Sequence, residues 1–173
     1  MANRLFFAIP IRRSQQLPLL KLQAQLPPIG RPVAAYKLHL TLAFLGDVSH
    51  AAEQQLLQRW QHLTFNACQL HFNQLQHWPN AQVLALTSAT CPAPLYQLAS
   101  ALQQDAASHG LYQSRHGFRP HISLLRDCPS VGQLPQPTAI TIDCDEVQLL
   151  RSEYSGTGVA YYPIKRWHST ASA

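Results

Sequence analysis

The sequence predicts an α+β fold built from two similar lobes of mainly antiparallel strands, each lobe carrying one histidine-bearing strand. Three observations lead there. Closely spaced pairs of strand-like segments interleave with helical ones, which argues against a regular parallel βαβ ladder. The pattern histidine-x-hydroxyl lies in apolar runs on either side of mid-chain, as HLTLAFLG from His39 to Gly46 and HISLLR from His121 to Arg126. The length, 173 residues, suits one domain that buries a real core, and no linker is long enough to divide it. Residues 1–173 are therefore expected to form a single domain of two intertwined lobes.

The elements follow in order. Residues 4–9 (RLFFAI) read as a first strand; charged Arg4 and the lack of a small-residue cleavage site argue against a signal peptide. Leu19, Leu22 and Leu26 recur at helical spacing within 14–26, with Pro18 tolerable only near the start. After PPIGRPVAAY comes a strand at 38–45. Gly46-Asp47 then marks a turn, and Ser49 a helix cap. Ala52, Leu56, Trp60 and Leu63 form the apolar stripe of a helix over 50–63. Strands near 67–73 and 82–88 are expected to flank a turn at Trp78-Pro79-Asn80. Leu95, Leu98, Leu102 and Ala106 stripe a further helix that starts at Pro94 and stops at Gly110. A strand at 121–126, a proline-rich loop at 127–137 and strands near 139–143, 146–151 and 158–164 complete the chain. The tail HSTASA is expected to fray.

Charged residues make up only 12% of the chain, against roughly 25% in an average globular protein. The net charge of +5 comes from three lysines and ten arginines, and arginine suits phosphate through its planar fork of donors. No stretch reaches the ~18 apolar residues needed to cross a bilayer. Cys68, Cys91, Cys128 and Cys144 show no CxxC pair and no zinc-ligand spacing. Free thiols in a reducing cytoplasm are the simplest account.

Histidine-x-Ser/Thr occurs four times, at His39, His62, His121 and His168. His62 falls at a helix end, where the dipole alone explains it, and His168 falls in the tail. Only His39 and His121 lead strand-type alternation. On a strand, residues i and i+2 share a face, so His39 joins Thr41 and His121 joins Ser123. A histidine hydrogen-bonded to a neighbour explains either copy alone. Two copies in matching contexts, each preceded by a helix, point to a site. Paired imidazoles supply a base and an acid near neutrality, and the hydroxyls supply fixed donors for phosphoryl oxygens. That constellation suits metal-free phosphodiester chemistry; HxH, HExxH and acidic clusters are absent, so no metal and no cofactor are expected. Arg119 shares the face of His121, where a phosphate contact and a solvated surface charge are equally good accounts. Arg126 falls on the opposite face by strict alternation and reaches the site only if the strand twists or ends.

These residues resemble the two-histidine (2H) phosphoesterase superfamily, marked by paired H-x-T/S-x motifs. Within it the chain resembles the bacterial RNA 2′,3′-cyclic phosphodiesterases, also called 2′-5′ RNA ligases. RLFFAI, HLTLAFLG, FRPHISLLRD at 118–127 and the ending with Gly158, Tyr161 and PIKRW carry the resemblance across nearly the whole chain. Serine stands at position 123, where threonine is commoner. The resemblance implies pseudo-twofold lobes, helices outside and a central cleft lined by both motifs. It implies hydrolysis of RNA 2′,3′-cyclic ends to 2′-phosphates, with His39 as proton donor, His121 as proton acceptor and Thr41 and Ser123 on the phosphate. Joining of tRNA halves would be the reverse of related chemistry. Tyr161 and Phe6 are candidate walls for stacking a terminal base, though core packing is the simpler account of Phe6. A cytoplasmic monomer acting on RNA ends is expected. The alternatives are a phosphodiesterase for small cyclic nucleotides or 2′-5′ oligoadenylates, and a non-catalytic binder of RNA ends.

Overall fold

The computed structural model describes residues 2–112, 114–156 and 158–170. Strand β1 (Ala2–Pro10) is followed by helix α1 (Arg13–Gln25), the two-residue strand β2 (Arg31–Pro32), β3 (His39–Ser49) and α2 (His50–Arg59). Then come β4 (Cys68–Phe72), β5 (Gln74–Trp78), β6 (Val83–Thr87) and α3 (Ala93–Ser108). The remainder is β7 (His121–Arg126), β8 (Ile140–Cys144), β9 (Glu146–Tyr154) and β10 (Val159–His168).

The main sheet runs β10-β9-β1-β3-β7-β6-β5, antiparallel throughout, with β2 added to β7; β4 and β8 pair separately. Its two wings, β10-β9-β1-β3 and β7-β6-β5, meet in register at Leu40 and Ile122. The two histidine strands are thus neighbours at the seam. Alternation along β1 shows how the faces divide: Leu5, Phe7 and Ile9 enter the main core with Leu19 and Leu22 of α1, Leu56 of α2 and Leu95 of α3. Phe6 and Ala8 point the other way and pack with Leu150, Phe44 and Tyr161. Helices therefore cover one face of the sheet, and the other is left for a cleft. Among the described residues no helix is long and apolar enough to cross a membrane.

Four expectations need correction. The turn at Gly46-Asp47 is a β-bulge inside a longer strand: Leu5 pairs with Gly46 and Phe6 with Phe44, leaving Leu45 extra, and Gly46 takes φ +73° so that β3 continues to Ser49. The cap reading holds, since the Ser49 hydroxyl accepts from the Ala52 amide at 3.2 Å. Helix α2 stops at Arg59, and the indole of Trp60 turns instead to the Asp105 carboxylate at 2.9 Å. The strand near 67–73 pairs with β8, not with the strand near 82–88; the turn after Trp78 joins β5 to β6. Glutamines in QLQHW hide β5 from an apolar-alternation search. Finally, the tail is anchored as far as Thr170: Ser169 donates to the Asp145 carbonyl at 2.8 Å and Thr170 to that of Phe65 at 3.1 Å. Residues 171–173 lie outside the described residues.

A Cβ on Gly46 would meet the Tyr112 Cβ at 3.2 Å and would force a left-handed backbone on an L side chain. Gly46→Ala is expected to cost about 1–2 kcal/mol in urea unfolding. Gly132→Ala, in open space, is expected to leave the midpoint unchanged.

Candidate active site

Each histidine strand carries one extra residue at the same place in its motif. Opposite β1, Ala8 pairs with Thr41 and Phe7 with Ala43, so Leu42 is surplus. Opposite β6, Ala85 pairs with Ser123 and Leu84 with Leu125, so Leu124 is surplus. A bulge shifts the alternation by one residue. In β3 it puts Phe44 on the face of His39 and Thr41; in β7 it puts Arg126 on the face of His121 and Ser123. Burial records the shift, with Leu42 and Ala43 consecutively buried, and Leu124 and Leu125 likewise. The expectation that Arg126 points away is therefore overturned. Twist and strand ends are not needed; the bulge alone returns it to the cleft.

A bulge leaves a carbonyl without its regular ladder partner, and glutamine side chains supply donors here. The Gln103 amide on α3 donates to the Leu42 carbonyl at 2.8 Å, and the Gln23 amide on α1 donates to that of Leu124 at 2.8 Å. Gln23 also donates to the Val33 carbonyl at 3.0 Å. Each glutamine braces the histidine strand of the other half of the chain.

The imidazoles are held alike. Nδ1 of His39 donates to the Lys37 carbonyl at 2.7 Å, and Nδ1 of His121 donates to that of Arg119 at 2.8 Å, two residues upstream in both cases. A carbonyl can only accept, so each neutral ring keeps its proton on Nδ1 and leaves Nε2 as the basic nitrogen. Phe6 and Tyr161 each lie 5.2 Å from the His39 ring, and Trp78 lies 4.5 Å from that of His121. Phe6 is also packed against Ala8 and Leu150, so it belongs to both core and wall.

His39, Thr41, Ser123, Arg126, Phe6 and Tyr161 all line one cleft of about 640 Å³. Arg4, Arg31 and Lys37 add positive charge to it, and among the described residues no carboxylate lines it. Arg31 pairs with Asp127 at 2.8 Å, and the Arg4 guanidinium lies 5.3 Å over the Phe44 ring. A second recess of about 560 Å³ begins at Thr41 and Phe44 and holds His121, Trp78 and Tyr112. Arg119 lies in this second recess, beside His121 but apart from the Ser123 side of the cleft. Trp78 and the two glutamines were not singled out by the motif pattern. Trp78 looked like a turn residue, and glutamines on a helix look like solvent-facing ones. Among the described residues, no three or more His, Cys, Asp or Glu side chains are grouped so that they could hold a metal ion.

Burial lowers His39 to about 4, against the backbone hydrogen bond that raises it, with the Arg126 charge adding to the drop. His121 is lowered by the same causes in the same order. Both rings are therefore neutral at pH 7 in the free protein. An anion placed between them offsets the cationic field and favours protonation.

The LigT like phosphoesterase family pattern matches residues 9–84, a span that includes the first histidine strand. An RNA 2′,3′-cyclic phosphodiesterase from Escherichia coli (strain K12) is 37% identical over 175 residues, covering 97% of each chain. The chain belongs to the LigT-like phosphoesterases. As a member of that family it also superposes on solved relatives. The crystal structure of E. coli LigT complexed with 3′-AMP matches with TM-score 0.92 and 36% identity over 99% of this chain and 100% of that one. The same relative complexed with phosphate matches with TM-score 0.87 and 34% identity over 98% and 99%.

Three outcomes are expected of this LigT-like phosphoesterase. In an NMR titration, His39 titrates near pH 4 in the free protein and moves upward when inorganic phosphate is added. Because the unfolded ring titrates near 6.5, the unfolded chain binds the proton first. The stability this ring contributes is complete above that pH and is lost as pH falls towards about 4, a slope that His39→Phe should flatten. Separately, Gln23→Met keeps the volume but removes a buried donor, and is expected to cost about 1–3 kcal/mol in urea unfolding.

Proposed function

We propose that the protein hydrolyses 2′,3′-cyclic phosphodiester ends of RNA to 2′-phosphomonoesters, by acid–base catalysis between His39 and His121 without a metal. The observation that carries this reading is the mirrored hold on the two imidazoles, Nδ1 on an upstream carbonyl in both strands, with His39 on the cationic cleft and His121 on the recess that adjoins it at Thr41 and Phe44.

The chemistry follows from the side chains. The cyclic phosphate enters as an anion, drawn by Arg126, Arg4 and Lys37. Thr41 and Ser123 donate hydroxyl hydrogen bonds to its non-bridging oxygens from rigid strands, where those donors need little reorganisation. Neutral His121 takes a proton from water through Nε2, and the water oxygen attacks phosphorus. His39 takes up its proton as the anion binds and delivers it to the departing 3′ oxygen. A free-protein pKa near 4 is thus no obstacle to the acid role, because the substrate supplies the charge that raises it. Each acid–base role is typically worth about 10²–10⁴-fold. With a sugar hydroxyl in place of water, the reverse of the related transesterification would join tRNA halves by a 2′-5′ linkage. The reading has the protein act as a cytoplasmic monomer; the four free thiols agree with a reducing compartment.

The deciding assay offers a short RNA with a 2′,3′-cyclic phosphate end in excess EDTA. Conversion to the 2′-phosphate is expected, with a bell-shaped pH–rate profile. His39→Ala and His121→Ala should each lower turnover at least about 10²-fold and flatten one limb of the profile. A 3′-phosphate product reverses the assigned leaving oxygen. Turnover that survives in the double variant sinks the assignment.

A further inference from the structure

Cys68 opens β4 and Cys144 closes β8, and the two are direct partners in the antiparallel register. Directly opposed strand residues hold their Cα atoms ~4.5–5.5 Å apart, within the ~4.4–6.8 Å that a disulfide spans. The Cys144 thiol donates to the Ile142 carbonyl on its own strand at 3.8 Å and also interacts with the Cys68 sulfur opposite, and all four cysteines of the chain are free. No cysteine lines either recess beside the histidines.

The start of α3 completes the arrangement. Its N-cap residue, Pro92, makes no side-chain cap, so the first amides of a 16-residue helix need another acceptor. The Leu95 amide, in the first turn, hydrogen-bonds the Cys68 sulfur. The positive end of a helix favours a thiolate there. The hydrogen bond with Cys144 lowers Cys68 most, burial opposes it, the Leu95 amide lowers it further, and it settles at about 7. Cys144 is pushed up, chiefly by that same hydrogen bond and by burial. One sulfur is half-exposed and ready to attack; its partner is buried and keeps its proton.

We propose that Cys68 and Cys144 form a hydroperoxide-oxidisable dithiol site, with Cys68 as the attacking thiolate and Cys144 as the resolving thiol. In the first step the Cys68 sulfur attacks one peroxide oxygen. The O–O bond breaks, the other oxygen leaves as hydroxide, and Cys68 becomes a sulfenic acid. In the second step the Cys144 sulfur attacks the Cys68 sulfur. The S–S bond forms, and the sulfenic hydroxyl leaves as water with the proton of Cys144. Two thiols and one hydrogen peroxide give one disulfide and two waters, with two electrons passing from sulfur to oxygen. Cys91 lies just before α3 and outside the β4–β8 pair, so the register does not set it opposite Cys68 and it is not the resolving group.

The test treats the reduced protein with stoichiometric hydrogen peroxide and maps its cysteines by mass spectrometry. A Cys68–Cys144 linked peptide pair is expected, with a raised Tm, and dithiothreitol should restore both thiols. In Cys144→Ser the reaction should stop at a Cys68 sulfenic acid that dimedone traps. Cys68→Ser should slow peroxide consumption at least about tenfold, while Cys128→Ser behaves as wild type. A Cys68–Cys91 link, or oxidation of all four thiols at similar rates, overturns the proposal. Should Cys68→Ser fail to fold, iodoacetamide labelling of the wild-type protein at pH 7 decides. Cys68 must then react at least about tenfold faster than Cys91 and Cys128, and equal rates overturn the assignment.

Discussion

One surplus residue in each histidine strand, Leu42 in β3 and Leu124 in β7, governs which side chains meet in the cleft. Without these bulges, alternation would turn Phe44 and Arg126 to the helical face, where a guanidinium would face the apolar core. With them, each strand presents a histidine, a hydroxyl and one further group on the same side. The cost of a bulge is a carbonyl out of step with its ladder, and in a buried layer that carbonyl needs a donor. Gln103 and Gln23 meet that need at equal distances, 2.8 Å each. The apparent twofold character of the site therefore extends from the imidazoles back to the helices that brace them.

The second organising effect is electrostatic. Among the described residues the cleft walls carry guanidinium and ammonium groups but no carboxylate, while aromatic rings press on both histidines. An empty cleft of this kind disfavours imidazolium, and an occupied one favours it. Protonation is thereby tied to the presence of an anion: both rings are neutral in the empty cleft, and on the proposed reading one of them becomes the acid only around its ligand. The carbonyls at Lys37 and Arg119 keep Nε2 as the working nitrogen in both states.

Much of this was legible in the chain itself. The two motifs placed both histidine strands, and helical spacing located α1 and α3 to within about a residue or two. What escaped was whatever breaks a periodic rule. Arg126 was assigned to the wrong face because alternation assumes an unbroken ladder. Gly46 looked like a turn because a positive φ serves a bulge as well as a chain reversal. Strand β5 was hidden by its glutamines, and Trp78 by the proline that follows it. Gln23 and Gln103 could not be separated from surface glutamines, since only the bulged carbonyls opposite give them a purpose. The anchoring of Ser169 and Thr170 depends on partners near residues 65 and 145, which no local pattern connects to the tail.

The crossed braces also bear on the order in which the molecule comes together. Gln23 is 101 residues from the strand it supports, and Gln103 is 61 residues from its own. During synthesis β3 emerges long before the helix that completes it, and α1 waits longer still for β7. Strand β3 can pair early with β1 and β7 with β6, but neither bulge carbonyl finds its donor in its own neighbourhood, and contacts of such long range are closed late and slowly in folding. A nascent chain thus holds neither histidine strand fully braced until α3 and then β7 have emerged. The two motifs mature together, although one is made long before the other.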